Sequence, residues 1–124
     1  MTRTVLIVDD HAGFRSFART FLEAAGMNVI GEAADGCAAV DAADRLRPDV
    51  VLLDVLLPDG DGFEVAKRIL EGAHRPAVVL TSTRDAADFG RRVQSCGARG
   101  FIGKGDLSRQ RLEALLWDDG IFSR

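Results

Sequence analysis

The 124-residue sequence predicts an α/β fold, a (βα)5 doubly wound five-stranded parallel sheet with helices on both faces. Two observations carry this expectation. Five short apolar runs, each too short for a helix, alternate with longer stretches of helical periodicity. The acids, hydroxyls and lysine that interrupt the pattern fall directly after the apolar runs, where strands would end.

Residues 5–8, Val-Leu-Ile-Val, are rich in β-branched side chains and stop at Asp9-Asp10, so they read as a buried strand. Phe14, Phe17, Ala18, Phe21, Leu22 and Ala25 then recur at helical spacing, with Gly26 as the stop. The three phenylalanines read as a core stripe. Residues 27–32 form a second strand. Asp35-Gly36 opens an alanine-rich helix to about Leu46, closed by Pro48. The third strand, residues 50–53, ends at Asp54. A loop with Pro58, Asp59, Gly60, Asp61 and Gly62 leads into a helix carrying Phe63, Ala66, Ile69 and Leu70. Asp59 and Asp61 read as turn and helix N-terminal residues. The fourth strand, residues 77–80, ends in Thr81-Ser82-Thr83, and a helix is expected from about Asp85 to Ser95, before Gly97. The fifth strand, residues 100–102, ends at Gly103-Lys104. Leu107, Leu112, Leu115, Leu116 and Trp117 mark the last helix, with Trp117 either capping the core or lying on an interface. Right-handed crossovers leave few topologies for such a chain, and the flavodoxin-like order 2-1-3-4-5 fits best.

Length and composition bound the function. One domain over residues 1–124 accommodates the whole pattern, and 47% hydrophobic with 28% charged residues is ordinary for a chain with a packed core. A net charge of −3 argues against a nucleic-acid surface, which needs clustered Lys and Arg. No apolar run approaches the roughly 18–20 residues needed to span a bilayer. The first residues run straight into a strand and two acids rather than forming a signal peptide. Cys37 and Cys96 match no disulfide framework or metal motif and read as reduced, packed thiols, so a cytoplasmic location is expected.

In an open parallel sheet all strand C-termini lie on one edge. Asp9 and Asp10, Asp54, the hydroxyls and Lys104 therefore converge on the crevice opened where the strand order reverses. Three carboxylates there need more counter-charge than one lysine supplies. A hard divalent cation with oxygen ligands, Mg²⁺, completes the balance, while no His or Cys pattern favours zinc. Such a site suits phosphoryl chemistry, which asks mainly for positioning and charge neutralisation. His11, beside the acidic pair, reads as a rim residue at the first helical turn. His74, in the Gly-Ala-His-Arg-Pro loop, reads as exposed.

Asp9-Asp10 after a strand, Asp54 followed by Pro58 and Gly62, a hydroxyl after strand four, Gly97-Ala98 and Lys104 stand in order and at the spacing of one family. Across essentially the whole chain the sequence resembles the receiver domain of bacterial two-component response regulators. The resemblance implies that Asp54 accepts a phosphoryl group from a phosphohistidine on a sensor histidine kinase or phosphotransfer protein. It implies that Asp9, Asp10, Asp54 and the backbone carbonyl of Leu56 hold Mg²⁺, that Lys104 contacts the phosphoryl oxygens, and that Phe101 is an aromatic switch moving with a Ser or Thr hydroxyl. The interval back from Lys104 selects Ser82 for that hydroxyl, whereas counting forward from Pro76 selects Thr81. Only one of these neighbours can face the phosphate.

The sequence departs from the family at two positions. Gly105 follows Lys104 where proline is usual, which makes a cis bond there improbable and the loop differently shaped. Leu56, often polar in relatives, cannot orient a water, and Arg84 stands near the same approach, so slow self-dephosphorylation is expected. The implied function is a phosphorylation-controlled switch and not an enzyme acting on other substrates. Its output surface would be the fourth helix, fifth strand and fifth helix, meeting a partner, an output domain or a second receiver as a homodimer. Two other readings stay open, a Mg²⁺-dependent aspartyl phosphohydrolase and an unphosphorylated interaction module. The Asp-Asp-His start and the Leu-Thr-Ser-Thr-Arg-Asp segment resemble receivers attached to helix-turn-helix output domains, so the chain reads as a stand-alone receiver or as the receiver part of a longer regulator.

Overall fold

The computed structural model of the chain describes residues 2–117, Trp117 by its backbone alone. The two readings of the Trp117 side chain lie outside the described residues. The elements run β1 (Thr4–Val8), α1 (Ala12–Ala24), β2 (Asn28–Ala33), α2 (Gly36–Leu46), β3 (Val50–Asp54), α3 (Gly62–Leu70), β4 (Ala77–Ser82), α4 (Arg92–Ser95), β5 (Gly100–Gly103) and α5 (Arg109–Trp117). The strands form one sheet in the order β2-β1-β3-β4-β5, with every pairing parallel. This is the flavodoxin-like doubly wound topology that the sequence predicts.

Strand pleating explains why unbroken apolar runs suit this sheet. In β1, Leu6 and Val8 face α2, α3 and α4, and Val5 and Ile7 face α1 and α5. The same alternation continues through β3, with Val51 and Leu53 on one side and Val50 and Leu52 on the other. Both faces are buried, so neither can be polar. The wide apolar stripe of α3 places Phe63, Ala66 and Ile69 in the first layer, and Ala18 and Leu22 of α1 enter the second.

Several expectations change in the structure. The helix predicted over 85–95 is a 3-10 turn (Ala86–Phe89) followed by the single turn α4. Gly90, with φ of 61°, separates the two, and only Val93 and Cys96 of this segment are buried. A left-handed residue cannot continue a right-handed helix, and two buried anchors cannot enforce one. The loop after Asp54 forms a two-residue antiparallel hairpin (Leu56–Leu57 with Gly60–Asp61) that carries no strand-like periodicity. Phe17 leaves the expected core stripe: it is 53% exposed, stacked on the half-buried ring of Phe21 and tilted against that of Phe14. Cys37 is exposed rather than packed, whereas Cys96 is buried. His74, expected in solvent, is half-buried with a ring nitrogen hydrogen-bonded to the Pro48 carbonyl.

Candidate functional site

Strand order reverses between β2 and β3 on either side of β1, so the loops after β1 and β3 diverge and leave a crevice at the C-terminal edge of the sheet. Asp54 is the last residue of β3, and Asp9 and Asp10 directly follow β1. Asp9 is fully buried and Asp54 nearly so, while Asp10 is exposed. Around Asp54, a cleft of about 270 Å³ is lined by Asp10, His11, Leu56, Leu57, Pro58, Ser82, Thr83 and Lys104.

The Asp54 carboxylate is held from two sides. Its Oδ1 accepts the Leu56 backbone N–H at 3.1 Å, and its Oδ2 lies 3.3 Å from Lys104 Nζ. Lys104 Nζ is also 2.7 Å from Asp9 Oδ2 and sits 4.5 Å from the centre of the Phe14 ring. Burial, with the negative charge of Asp9 behind it, pushes the Asp54 carboxyl above the usual carboxylate range; the Leu56 N–H and Lys104 oppose this. Burial alone would lower the Lys104 ammonium, yet its contacts with Asp9 and Asp54 outweigh it and hold the lysine above its ordinary value. Lys104 and Asp54 therefore each favour the other's charged form.

Asp9, Asp10 and Asp54 each offer a carboxylate oxygen, and with a ring nitrogen of His11 these ligand atoms all lie within 4.8 Å of one another. Three carboxylates, two of them buried, facing one ammonium leave excess negative charge at the crevice. Hard oxygen donors so grouped fit a divalent cation of the Mg²⁺ kind. His11 is on the rim as expected, at the N-cap of α1, but it also reaches both acids, 3.3 Å from Asp9 Oδ1 and 3.2 Å from Asp10 Oδ1.

The hydroxyls separate by the pleat of β4. Ser82 lines the cleft and its Oγ accepts the Arg84 backbone N–H at 3.1 Å. Thr81, opposite Asp54 in the ladder, does not line it; its Oγ1 is buried and finds no hydrogen-bond partner among the described residues. The Arg84 guanidinium turns along the chain to Asp88, 3.7 Å away, and stands outside the cleft lining. Leu56 sits on the rim and is 51% exposed. Lys104 opens a short 3-10 turn through Asp106, with Gly105 in open space, and there is no cis peptide bond among the described residues.

Phe101, three residues before Lys104, is half-buried and touches Phe89, with ring centres 5.9 Å apart; Phe89 in turn meets Phe63 at 5.5 Å. Arg92 lies over Phe63 and pairs with Asp61. An aromatic chain thus joins β5, the segment after β4, and α3. Asp61 is the N-cap of α3, as its sequence position suggests, and its carboxylate accepts the Phe63 N–H. Asp59 has a role the sequence conceals: its carboxylate accepts the N–H groups of Gly36 at 2.8 Å and Cys37 at 3.0 Å, capping α2 from another loop. A cap donated across 22 or 23 positions leaves no local signature.

Residues 5–116 match the sequence model of the response regulator receiver domain. The chain is 38% identical over 104 residues to the transcriptional regulatory protein PdtaR of Mycobacterium tuberculosis, covering 82% of this chain and 49% of that protein. Its structure superposes with a TM-score of 0.86 on a two-component response regulator of the LuxR family from Aurantimonas sp. SI85-9A1, at 27% identity, covering 95% of this chain and 87% of that one. The response regulator domain of CheB from Thermotoga maritima superposes with a TM-score of 0.76 at 30% identity, covering 95% and 92%. The chain spans about half or less of the length of the curated relatives it matches.

Proposed function

The chain belongs to the response regulator receiver family, and from that premise we propose that it is a phosphorylation-controlled switch accepting a phosphoryl group on Asp54. The donor is a phosphohistidine on a sensor kinase or phosphotransfer protein. One observation carries the reading: the almost fully buried Asp54 carboxylate ends a central strand with Lys104 on one oxygen and a backbone N–H on the other. Asp9, Asp10, Asp54 and the Leu56 carbonyl would hold Mg²⁺, which when bound neutralises negative charge on the phosphoryl oxygens.

In the transfer, an Asp54 carboxylate oxygen forms a bond to phosphorus as the phosphorus–nitrogen bond breaks. The electron pair leaves with the donor imidazole, which takes up a proton. Lys104, charged at neutral pH, steadies the charge on the phosphoryl oxygens. The Ser82 hydroxyl then hydrogen-bonds the attached phosphoryl group, giving up the Arg84 N–H it now accepts. Through Phe101 and Phe89 that shift reaches the segment around α4, which has little helix of its own to resist it. The surface of α4, β5 and α5 then meets an output domain, a partner or a second copy, in the cytoplasm. Leu56, placing an aliphatic side chain at the rim, gives attacking water no hydrogen bond and makes the acyl phosphate long-lived.

Incubation with Mg²⁺ and acetyl phosphate or phosphoramidate tests this. The expected result is one phosphoryl group per chain, absent in Asp54→Asn. Multiple turnovers on varied phosphoesters would overturn it in favour of a phosphohydrolase, and no labelling would favour a bare interaction module.

A further inference from the structure

Beyond the groups that face the crevice, one partly exposed ion pair reaches the backbone of the acidic loop. Arg15, the fourth residue of α1, donates from Nη1 to the backbone carbonyl of Asp9 at 2.7 Å and from Nε to Glu32 Oε1 at 3.0 Å. Its side chain is only 20% exposed. Glu32 lies near the end of β2, and Arg19 Nε holds its other oxygen at 2.8 Å. The same arginines hold the Glu32 carboxyl below the usual carboxylate range, Arg19 contributing most.

Asp9 stands one residue past β1, where the sheet ladder ends. Its N–H still donates to Ala33 of β2 at 3.0 Å, but its carbonyl has lost the strand partner it would have inside the sheet. Arg15 takes that place. With the N–H tied to β2 and the carbonyl tied to Arg15, the two peptide groups flanking Asp9 are fixed. The second of these planes sets where Asp10 starts. The Asp9 carboxylate is also held directly, by the His11 N–H at 2.9 Å on Oδ1 and by Lys104 on Oδ2, while the Arg15 bond acts on the backbone from which both carboxylates start.

We infer that Arg15, braced by Glu32, is a positioning residue for the metal-binding loop, holding the Asp9 carbonyl so that the Asp9 and Asp10 carboxylates converge on the cation. This rests on the Mg²⁺ reading of the site. A guanidinium serves because its planar fork bonds Glu32 and the carbonyl at once from fixed directions, which an ammonium on a flexible stem cannot do.

Charge and positioning predict opposite signs, so the role is separable from simple electrostatics. Arg15 is a cation near a cation site. Removing it makes the region more negative, and by Coulomb attraction alone would tighten Mg²⁺ binding. Loss of positioning weakens it. Arg19 is the internal control: it pairs with the same Glu32, and its other bonds go to Glu23 and the Val29 carbonyl, none to the acidic loop.

The test is Mg²⁺ titration of the intact chain, followed by calorimetry and by amide NMR shifts of residues 9–11 and 54, for wild type, Arg15→Met, Arg15→Lys and Arg19→Met. The dissociation constant is expected to rise on the order of tenfold in Arg15→Met, the low end for groups that orient metal ligands. Arg15→Lys should fall between this and wild type, and it keeps the test open if Arg15→Met does not fold. Arg19→Met should shift the constant by less than about twofold, since surface charges are largely screened at physiological salt. Equal or tighter binding in folded Arg15→Met, or an equal loss in Arg19→Met, overturns the positioning role while leaving the site reading intact. Failure of the wild-type chain to bind Mg²⁺ at these residues overturns both.

Discussion

Replacing Gly62 with alanine should destabilise the protein far more than one methyl group suggests. Gly62 opens α3 directly beneath the end of β3, and its N–H donates to the Val55 carbonyl at 2.7 Å. A Cβ at this position would lie 2.4 Å from the Asp54 carbonyl oxygen, 2.7 Å from Val55 Cα and 2.9 Å from the Val55 carbonyl oxygen. Ordinary contacts begin near 3.5 Å, so the two segments must part by about 1 Å. The three atoms are backbone, with no side-chain rotamer to relieve the overlap. Overpacking of this kind costs about 1–3 kcal/mol, and stretching the Gly62–Val55 bond adds roughly 0.5–1.5 kcal/mol. The sum, about 3 kcal/mol, should lower the melting temperature by on the order of 10 °C for a chain of this size.

Gly13→Ala provides the matched control, because a Cβ in that turn of α1 meets nothing within 4 Å. There the same change should stabilise by about 0.5–1 kcal/mol through the helix preference of alanine. Thermal and urea unfolding of the two variants beside wild type reads both signs. Since the displaced carbonyl belongs to Asp54, labelling by acetyl phosphate should slow in Gly62→Ala as well. A Gly62→Ala protein that melts with wild type, or above Gly13→Ala, would refute the backbone-contact reasoning.

Other expectations concern the site's neighbours. Ser82→Ala should leave Asp54 able to accept phosphate but abolish the phosphorylation-dependent change around α4 and β5, read by amide NMR with beryllofluoride. Thr81→Val should preserve that response and raise stability by about 1 kcal/mol, because it removes a buried hydroxyl without a hydrogen-bond partner; the reverse pattern would transfer the switch role to Thr81. Leu56→Asn should shorten the acyl-phosphate half-life, measured by loss of phosphate at neutral pH, and a wild-type half-life of seconds would contradict the shielding argument. Asp59 is held below the usual carboxylate range chiefly by the Gly36 and Cys37 N–H groups. Its contribution is therefore present in full above the unfolded value and lost as pH falls through the lower folded one. Asp59→Asn should be less stable than wild type at neutral pH, and urea unfolding should show the difference closing below about pH 4.

Much of this protein is legible along the chain because its main determinants are local. The apolar runs ending at Val8, Leu53 and Leu80 are unbroken since both faces of the sheet are covered, and parallel order follows from the helices between them. That order alone sends Asp9, Asp10, Asp54, Ser82 and Lys104 to one edge, although they come from four strands. The tertiary structure decided what depends on contacts between distant segments. It turned the expected helix after Ser82 into a 3-10 turn and one helical turn, because Gly90 adopts a left-handed conformation and the segment buries only Val93 and Cys96. It put Phe17 in solvent, although its spacing matches that of buried residues, because α1 meets the sheet along a face centred on Ala18 and Leu22. It also set which hydroxyl lines the cleft, gave Asp59 to a helix it does not precede, and brought Arg15 to the Asp9 carbonyl. A period in the sequence reports which residues share a face. Only packing reports which groups meet across faces, and there the acidic loop finds its support.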